Sequence, residues 1–293
     1  MTERFDSRAI LGEQGRLAAH ISGFRSREAQ LVMSDAVGDA IRDKRILMVE
    51  AGTGTGKTYA YLAPALLSGE KVIVSTGTRN LQDQLYHRDL PTILKALGVS
   101  VRTALLKGRA NYLCPYRLQV HLQDGRFSSK QTVHELQRVA EWAPTTTSGD
   151  IAELSDLPED ASVWPLVTST ADNCLGQECP VLEECPLASA RKKASEADLV
   201  VVNHHLFFAD IAIKEEGFGE LLPDATAIIF DEAHQLPEVA SMFFGESISS
   251  RQLTDLAQDA VGEMLTAAGD MRSILDAATQ LENRVADMRL VFG

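Results

Sequence analysis

No stretch of this 293-residue sequence approaches the roughly 18 consecutive apolar residues of a membrane span. The apolar core of a secretory signal is missing too, because Glu3, Arg4, Asp6, Arg8, Glu13 and Arg16 interrupt the stretch from Met1 to Ala19. Positive charge is in deficit: the formal net charge of -13 excludes a wholly basic nucleic-acid coat and leaves room only for a local basic track. Cysteine is sparse, and none of the four forms the close Cys-x-x-Cys pair of a zinc knuckle or ribbon. A cytoplasmic protein is expected, in which four thiols are metal ligands or spare thiols rather than disulfides. There is no internal repeat. What is present is an ordinary globular composition, apolar enough to bury a sizeable core, and a length suited to two or three domains.

The chain is organised around Glu50-Ala51-Gly52-Thr53-Gly54-Thr55-Gly56-Lys57-Thr58. Ile46 to Val49 reads as a short buried strand before it and Tyr59 to Leu67 as a helix after it, the context a phosphate-binding loop requires. Glycines let successive N–H groups turn toward phosphate, the helix N-terminus adds positive potential, and Lys57 supplies a mobile charge. Thr58 offers a hydroxyl to Mg²⁺. Ala51 stands where the strict pattern has its first glycine, and a flexible Gly/Thr turn with an exposed lysine is the plain alternative. A second half-motif favours the loop. The apolar run Ile228-Ile229-Phe230 delivers Asp231 and Glu232 to a strand end, where ligands bind in open α/β sheets. Asp231 is suited to hold Mg²⁺ through its water shell, and Glu232 to orient and deprotonate an attacking water.

Strands are expected at Lys71 to Thr76, Val99 to Leu106, Val200 to Val202 and Ala227 to Phe230, separated by helices, which makes a parallel sheet covered on both faces. Pro64 should kink or break its helix, and the helix carrying Leu81 and Leu85 should end at Pro91. Upstream, Ser26 reads as the cap of a helix through Leu31, Val37 and Ile41, and Gln30 has an amide able to read an adenine edge. From about Gly108 to Lys193 the rhythm breaks. That insertion holds every cysteine and few long apolar runs, so it is expected to need a staple instead of a core of its own. His204 and His205, read as adjacent strand residues, point to opposite faces and favour packing over metal binding. Leu253 to Leu265 and Ile274 to Val285 are helical.

Cys114, Cys174, Cys179 and Cys185 are spaced too widely for a simple zinc ribbon. The intervals suit a cubic iron-sulfur cluster, with zinc and unliganded thiols as the alternatives. Around Cys114 the charge balance reverses: Arg102, Lys107, Arg109, Arg117, Arg126 and Lys130 face only Asp124, and Arg191-Lys192-Lys193 follows at the far end of the insertion. Tyr112 and Tyr116 are interleaved there. Such a set makes a positive track with stacking platforms for unpaired bases, or else a solvated basic face.

Asp231-Glu232-Ala233-His234 with the glycine loop resembles the superfamily 2 helicases. Phe24 to Gln30 resembles that superfamily's adenine-reading motif, and Ser75-Thr76-Gly77-Thr78 with Leu81-Gln82-Asp83-Gln84 its motif for single-stranded DNA. Ala110-Asn111-Tyr112-Leu113-Cys114 and Val201-Val202-Asn203-His204-His205-Leu206 resemble the iron-sulfur helicases of the XPD/DinG group. The resemblance spans nearly the whole chain. It implies a RecA-like lobe in two parts, residues 1–108 and 194–240, an iron-sulfur insertion at 109–193, and a helical start of an arch domain at 241–293. The second helicase lobe is not among these residues, so a piece of a longer helicase is expected, with weak or no ATP turnover by itself. The implied activity is ATP-dependent, 5′ to 3′ DNA unwinding in repair or replication. Its cofactors are a four-iron four-sulfur cluster on the four cysteines and Mg²⁺ on Thr58 and Asp231. ATP would contact Arg27, Gln30, Ala51 to Thr58 and His234. Single-stranded or forked DNA would meet Thr76, Thr78, Lys107, Arg109 and Tyr112. A monomer that engages a replication or repair protein and no membrane is expected. The competing reading is a non-catalytic ATP- and DNA-binding cluster module, or a redox sensor.

Overall fold

The computed structural model describes residues 5–52, 54–124, 129–215, 217, 220–245, 248–266 and 272–292. Thr53 of the loop and Arg126 of the basic track lie outside them. The chain divides into two compact units, Met1–Phe243 and Phe244–Gly293.

In the first unit, α1 (Ser7–Leu11), capped by the Asp6 carboxylate, and α2 (Arg16–His20) precede α3 (Glu28–Asp43). Arg27, not Ser26, stands at the N-cap of α3, and no side chain caps it. Next come α4 (Lys57–Leu67), β1 (Val72–Thr76) and α5 (Arg79–Gln84). A π-helical turn, Leu85–Asp89, joins α5 to α6 (Leu90–Leu97). The helix therefore does not end at Pro91. The wider π turn sits where the proline, lacking an N–H, leaves the carbonyl one turn back without its partner. Pro64 likewise lies inside an unbroken α4.

β2 (Thr103–Leu105) is shorter than the stretch from Val99 to Leu106 suggests. After the insertion, β3 (Leu199–Asn203) and β4 (Ala227–Phe230) complete a four-stranded parallel sheet of order β2-β3-β1-β4. Side-chain alternation on the pleat sends Val72, Val74, Leu199 and Val201 into a core beneath α3, α4 and α6. Ile73, Val200 and Val202 face a second core. β1 and β3 are buried on both faces, which is why residues 72–74 and 199–202 are apolar, whereas β4 is half-buried with Ile228 45% exposed.

The expected strand Ile46 to Val49 is not formed. Its residues are extended and unpaired in the sheet, with Ile46 and Met48 almost fully exposed. An apolar strand is stable only against neighbours, and among the described residues none ladders with it. The phosphate loop is thus entered from an open segment.

The insertion contains α7 (Pro115–Asp124), α8 (Lys130–Trp142), α9 (Trp164–Val167) and α10 (Pro186–Glu196). Contrary to expectation it has a core of its own: Leu113, Leu118, Leu136, Val139, Trp142, Leu154, Val163, Trp164 and Val167 are all buried together. The apolar stripe of α8 recurs at helical spacing, and the chain's only two tryptophans are both spent here, so few residues bury much area. Between β3 and β4 runs α11 (His204–Glu215), and α12 (Leu236–Phe244) follows β4. His204 and His205 are therefore helix-start residues, not strand residues. The Asn203 carboxamide accepts from Leu206 N–H at 2.8 Å and begins that helix.

In the second unit, α13 (Ser250–Thr266) and α14 (Arg272–Phe292) pair along Ala257, Met264, Ala278 and Val285. Among the described residues no helix is long and apolar enough to cross a membrane.

Replacing buried Leu136 with alanine removes part of the insertion's private core and should cost about 2–5 kcal/mol. Hydrogen exchange should then accelerate in α8 and α9 while β1 and β3 keep their protection. Equal loss in the sheet would mean that the insertion has no separate core.

Candidate nucleotide-hydrolysis site

The loop is built by backbone conformation. Gly54 and Gly56 have φ of 76° and 81°, a region that side-chain-bearing residues avoid, and Gly56 is the N-cap from which α4 departs. Gln30, fully buried on α3, donates from Nε2 to the Gly56 carbonyl at 3.0 Å. A Cβ on Gly56 would stand 2.3 Å from that nitrogen, so glycine is required by contact as well as by φ. Gln30 thus supports the loop, while exposed Arg27 flanks it at the start of α3. Ala51 and Gly52 precede the turn, and the Thr55 hydroxyl donates to the Gly52 carbonyl.

β4 brings the acidic pair to this loop. Asp231 N–H donates to Ser75 O at 2.8 Å, which fixes the end of β4 against β1. Lys57 Nζ lies 3.5 Å from Glu232 Oε1, and His234 Nδ1 3.5 Å from Glu232 Oε2. Glu232 has φ 56°, ψ 43°, one of two described non-glycine residues at positive φ. Strain of this kind, about 1–3 kcal/mol, persists only where surrounding contacts enforce it. The next turn contributes: Gln235 packs so tightly on Gly77 that a Cβ there would meet its Oε1 at 2.2 Å.

Tyr61 was not legible as a site residue because its position fits the apolar face of α4. One turn beyond Thr58 it is 2% exposed, and its hydroxyl donates to Asp231 Oδ2 at 3.2 Å. It thus holds one of the two candidate Mg²⁺ ligands from the same helix that carries the other, Thr58. Burial, then the Asp231 charge, pushes the Tyr61 phenol far up. Burial likewise raises Asp231, with Glu232 adding to it and Tyr61 and Lys57 opposing. A carboxylate held this way gains from a cation.

The DEAD/DEAH box helicase family model matches residues 32–120, and the DEAD_2 model residues 173–253. The ATP-dependent DNA helicase YoaA of Haemophilus influenzae is 54% identical over 284 residues, 97% of this chain and 44% of its own length. YoaA of Escherichia coli is 52% identical over 95% of this chain and 44% of its own. The chain belongs to the DinG-type helicase family. The ATP-dependent helicase DinG of Mycobacterium tuberculosis is 36% identical over 86% of this chain and 42% of its own. This DinG-type chain therefore spans under half the length of these curated relatives. A solved XPD helicase overlays with a TM-score of 0.45 at 18% identity, covering 89% of this chain and 40% of its own.

In this DinG-type chain the four cysteines are free and half-buried. Burial pushes the Cys114 thiol up, a backbone hydrogen bond at Arg117 opposes it, and Cys185, Cys179 and Cys174 add to the rise. Among the described residues no three His, Cys, Asp or Glu side chains converge on a single metal-ion position. The candidate DNA residues are dispersed in character. Thr76 is buried, with Oγ1 on the Thr78 carbonyl, and Thr78 caps α5 through Leu81 N–H. Half-buried Arg109 donates to Thr170 O at 3.2 Å. Lys107 and Tyr112 are buried.

The raised Asp231 has a thermodynamic sign. Its folded pKa lies above the unfolded one, so ionisation opposes folding and stability falls as pH rises through that interval. Asp231→Asn should therefore raise the melting midpoint at pH 7 by about 1–3 °C, and the gain should vanish below the unfolded-state value. Calorimetry at several pH values checks this, and a lower midpoint for the variant at neutral pH contradicts it.

Proposed function

We propose that the chain is the nucleotide-binding and cysteine-bearing part of an ATP-dependent DNA helicase that unwinds 5′ to 3′ in repair or replication. The observation that carries this reading is the meeting of Lys57 and Tyr61 with Glu232 and Asp231, pairs some 170 residues apart in sequence. In it, the loop amides and Lys57 hold the phosphates, and Thr58 and Asp231 would hold Mg²⁺, which when bound would neutralise phosphate charge. Glu232 orients water and accepts its proton once nucleotide has drawn Lys57 away. Exposed His234, beside Glu232, and Arg27 are the further nucleotide contacts. Residues 1–108 and 194–240 then form a RecA-like lobe, 109–193 the cysteine-bearing insertion, and 241–293 the start of an arch. Exposed Thr78 and half-buried Arg109 are the members of the DNA set open to a strand, and single-stranded or forked DNA is the substrate.

The cysteines fit a four-iron four-sulfur cluster better than one ion. A zinc knuckle or ribbon normally takes close Cys-x-x-Cys pairs, and the four cysteines form none. A cubane takes one thiolate at each of four separate corners, which the wide spacing of the four cysteines suits. Bound there, the cluster would supply a redox-active staple for the insertion. Cys114 belongs to the insertion through its own N–H, which donates to Val167 O at 2.7 Å.

Two measurements test the reading. Glu232→Gln in the full-length protein should keep ATP affinity within about threefold and lower turnover at least about a hundredfold. Turnover surviving the change would favour the non-catalytic module. Anaerobically purified chain should hold iron and acid-labile sulfide in equal amounts, lost in Cys179→Ser. Stoichiometric zinc without sulfide would remove the cluster.

A further inference from the structure

Lys107 sits in a stretch rich in positive charge, yet its side chain is only 2% exposed. Its Nζ lies 2.7 Å from Asp83 Oδ1 and 2.6 Å from Asp150 Oδ2. The two carboxylates belong to different parts of the unit. Asp83 is on α5, the helix that starts at Thr78, and its neighbour Gln82 donates from Nε2 to Leu106 O at 2.9 Å and to Val201 O at 3.2 Å. Asp150 lies in the insertion, where it forms an antiparallel bridge with Tyr112 and caps the turn Ile151–Glu153. Tyr112, in turn, accepts at its hydroxyl from Lys107 N–H at 3.1 Å. Leu113 N–H bonds Gly149 O at 2.8 Å immediately before Cys114.

We propose that Lys107 is a positioning residue, a buried pin that holds the Thr76–Gln84 segment and the Tyr112–Cys114 segment in one fixed relation. It is not a phosphate contact. One cation joins the two carboxylates: its loss leaves two like charges facing each other, and loss of either carboxylate unties the ammonium from one of the two segments. The pin therefore ties the geometry of the cysteine-bearing insertion to that of the helix beginning at Thr78. Its consequence for single-strand affinity rests on the function proposed above. Its structural part does not.

The signs of two substitutions separate the readings. A lysine touching phosphate contributes about 0.7 to the salt slope of single-strand binding, and neutralising an adjacent carboxylate would strengthen that binding. A pin predicts the reverse for the carboxylate. Lys107→Met and Asp150→Asn should both weaken binding of an oligothymidine several-fold with the slope unchanged. Both should also accelerate hydrogen exchange in residues 78–84 and 109–114 together. A flattened slope in Lys107→Met with tighter binding in Asp150→Asn overturns the proposal, as does exchange that rises on one side alone. If the wild-type chain binds no oligothymidine, the function proposed above fails while the exchange comparison still decides the pin. Should Lys107→Met not fold, Asp150→Asn, which keeps the cap on Ala152 N–H, supplies the comparison by itself.

Discussion

The double pairing of β1 is the constraint on which the rest depends. It bonds β3 on one side and β4 on the other, in registers that set Thr76 beside Asn203 and Ser75 beside Phe230. Three chain segments thus end at one edge of the sheet. From that edge leave α5, α11 and the Asp231–Glu232 turn, and the loop at the head of α4 reaches the same place. The Asp231–Glu232 pair needs no long excursion, since a parallel strand delivers it at its carboxyl end, while Lys57 and Thr58 arrive on the loop.

Buried polar contacts then join neighbouring ends. His204, wholly buried at the start of α11, lies 2.7 Å from Ser75 Oγ through Nδ1, and burial lowers its pKa, which favours the neutral ring. Its ring lies 6.0 Å from that of Phe230, directly before the acidic pair. Gln82, Gln30 and Gln235 each reach backbone belonging to another segment. Amides suit this role because they bridge strands without placing charge in the core. Where charge is buried, at Asp231 and Lys107, it is countered on more than one side.

Much of the fold was legible because parallel strands buried on both faces are written as unbroken apolar runs. The candidate acidic pair follows a strand of this sheet, β4, whereas the glycine loop follows an apolar run that joins no ladder. Failures occurred where a residue's partner is remote. Tyr61 reads as an apolar helix position until Asp231 is beside it, and Lys107 reads as surface charge until Asp83 and Asp150 enclose it. The strand expected at Ile46 to Val49 has the right composition without a ladder. A local signal was overlooked in one instance: Asn203, three residues before Leu206, is a helix-start residue, and it would have moved His204 and His205 off the strand. The insertion's core was hidden because two tryptophans and one amphipathic helix do the work of many smaller side chains.

The left-handed backbone at Glu232 also sets which replacements are neutral. Glycine or asparagine would adopt φ 56° more readily, so selection for thermal resistance alone would draw this position away from glutamate. The residue best suited to activating water is one the backbone accepts reluctantly. Stabilised variants obtained without an activity screen would accumulate changes here, in the Asp231–Glu232 turn, before they touched the sheet that supports it.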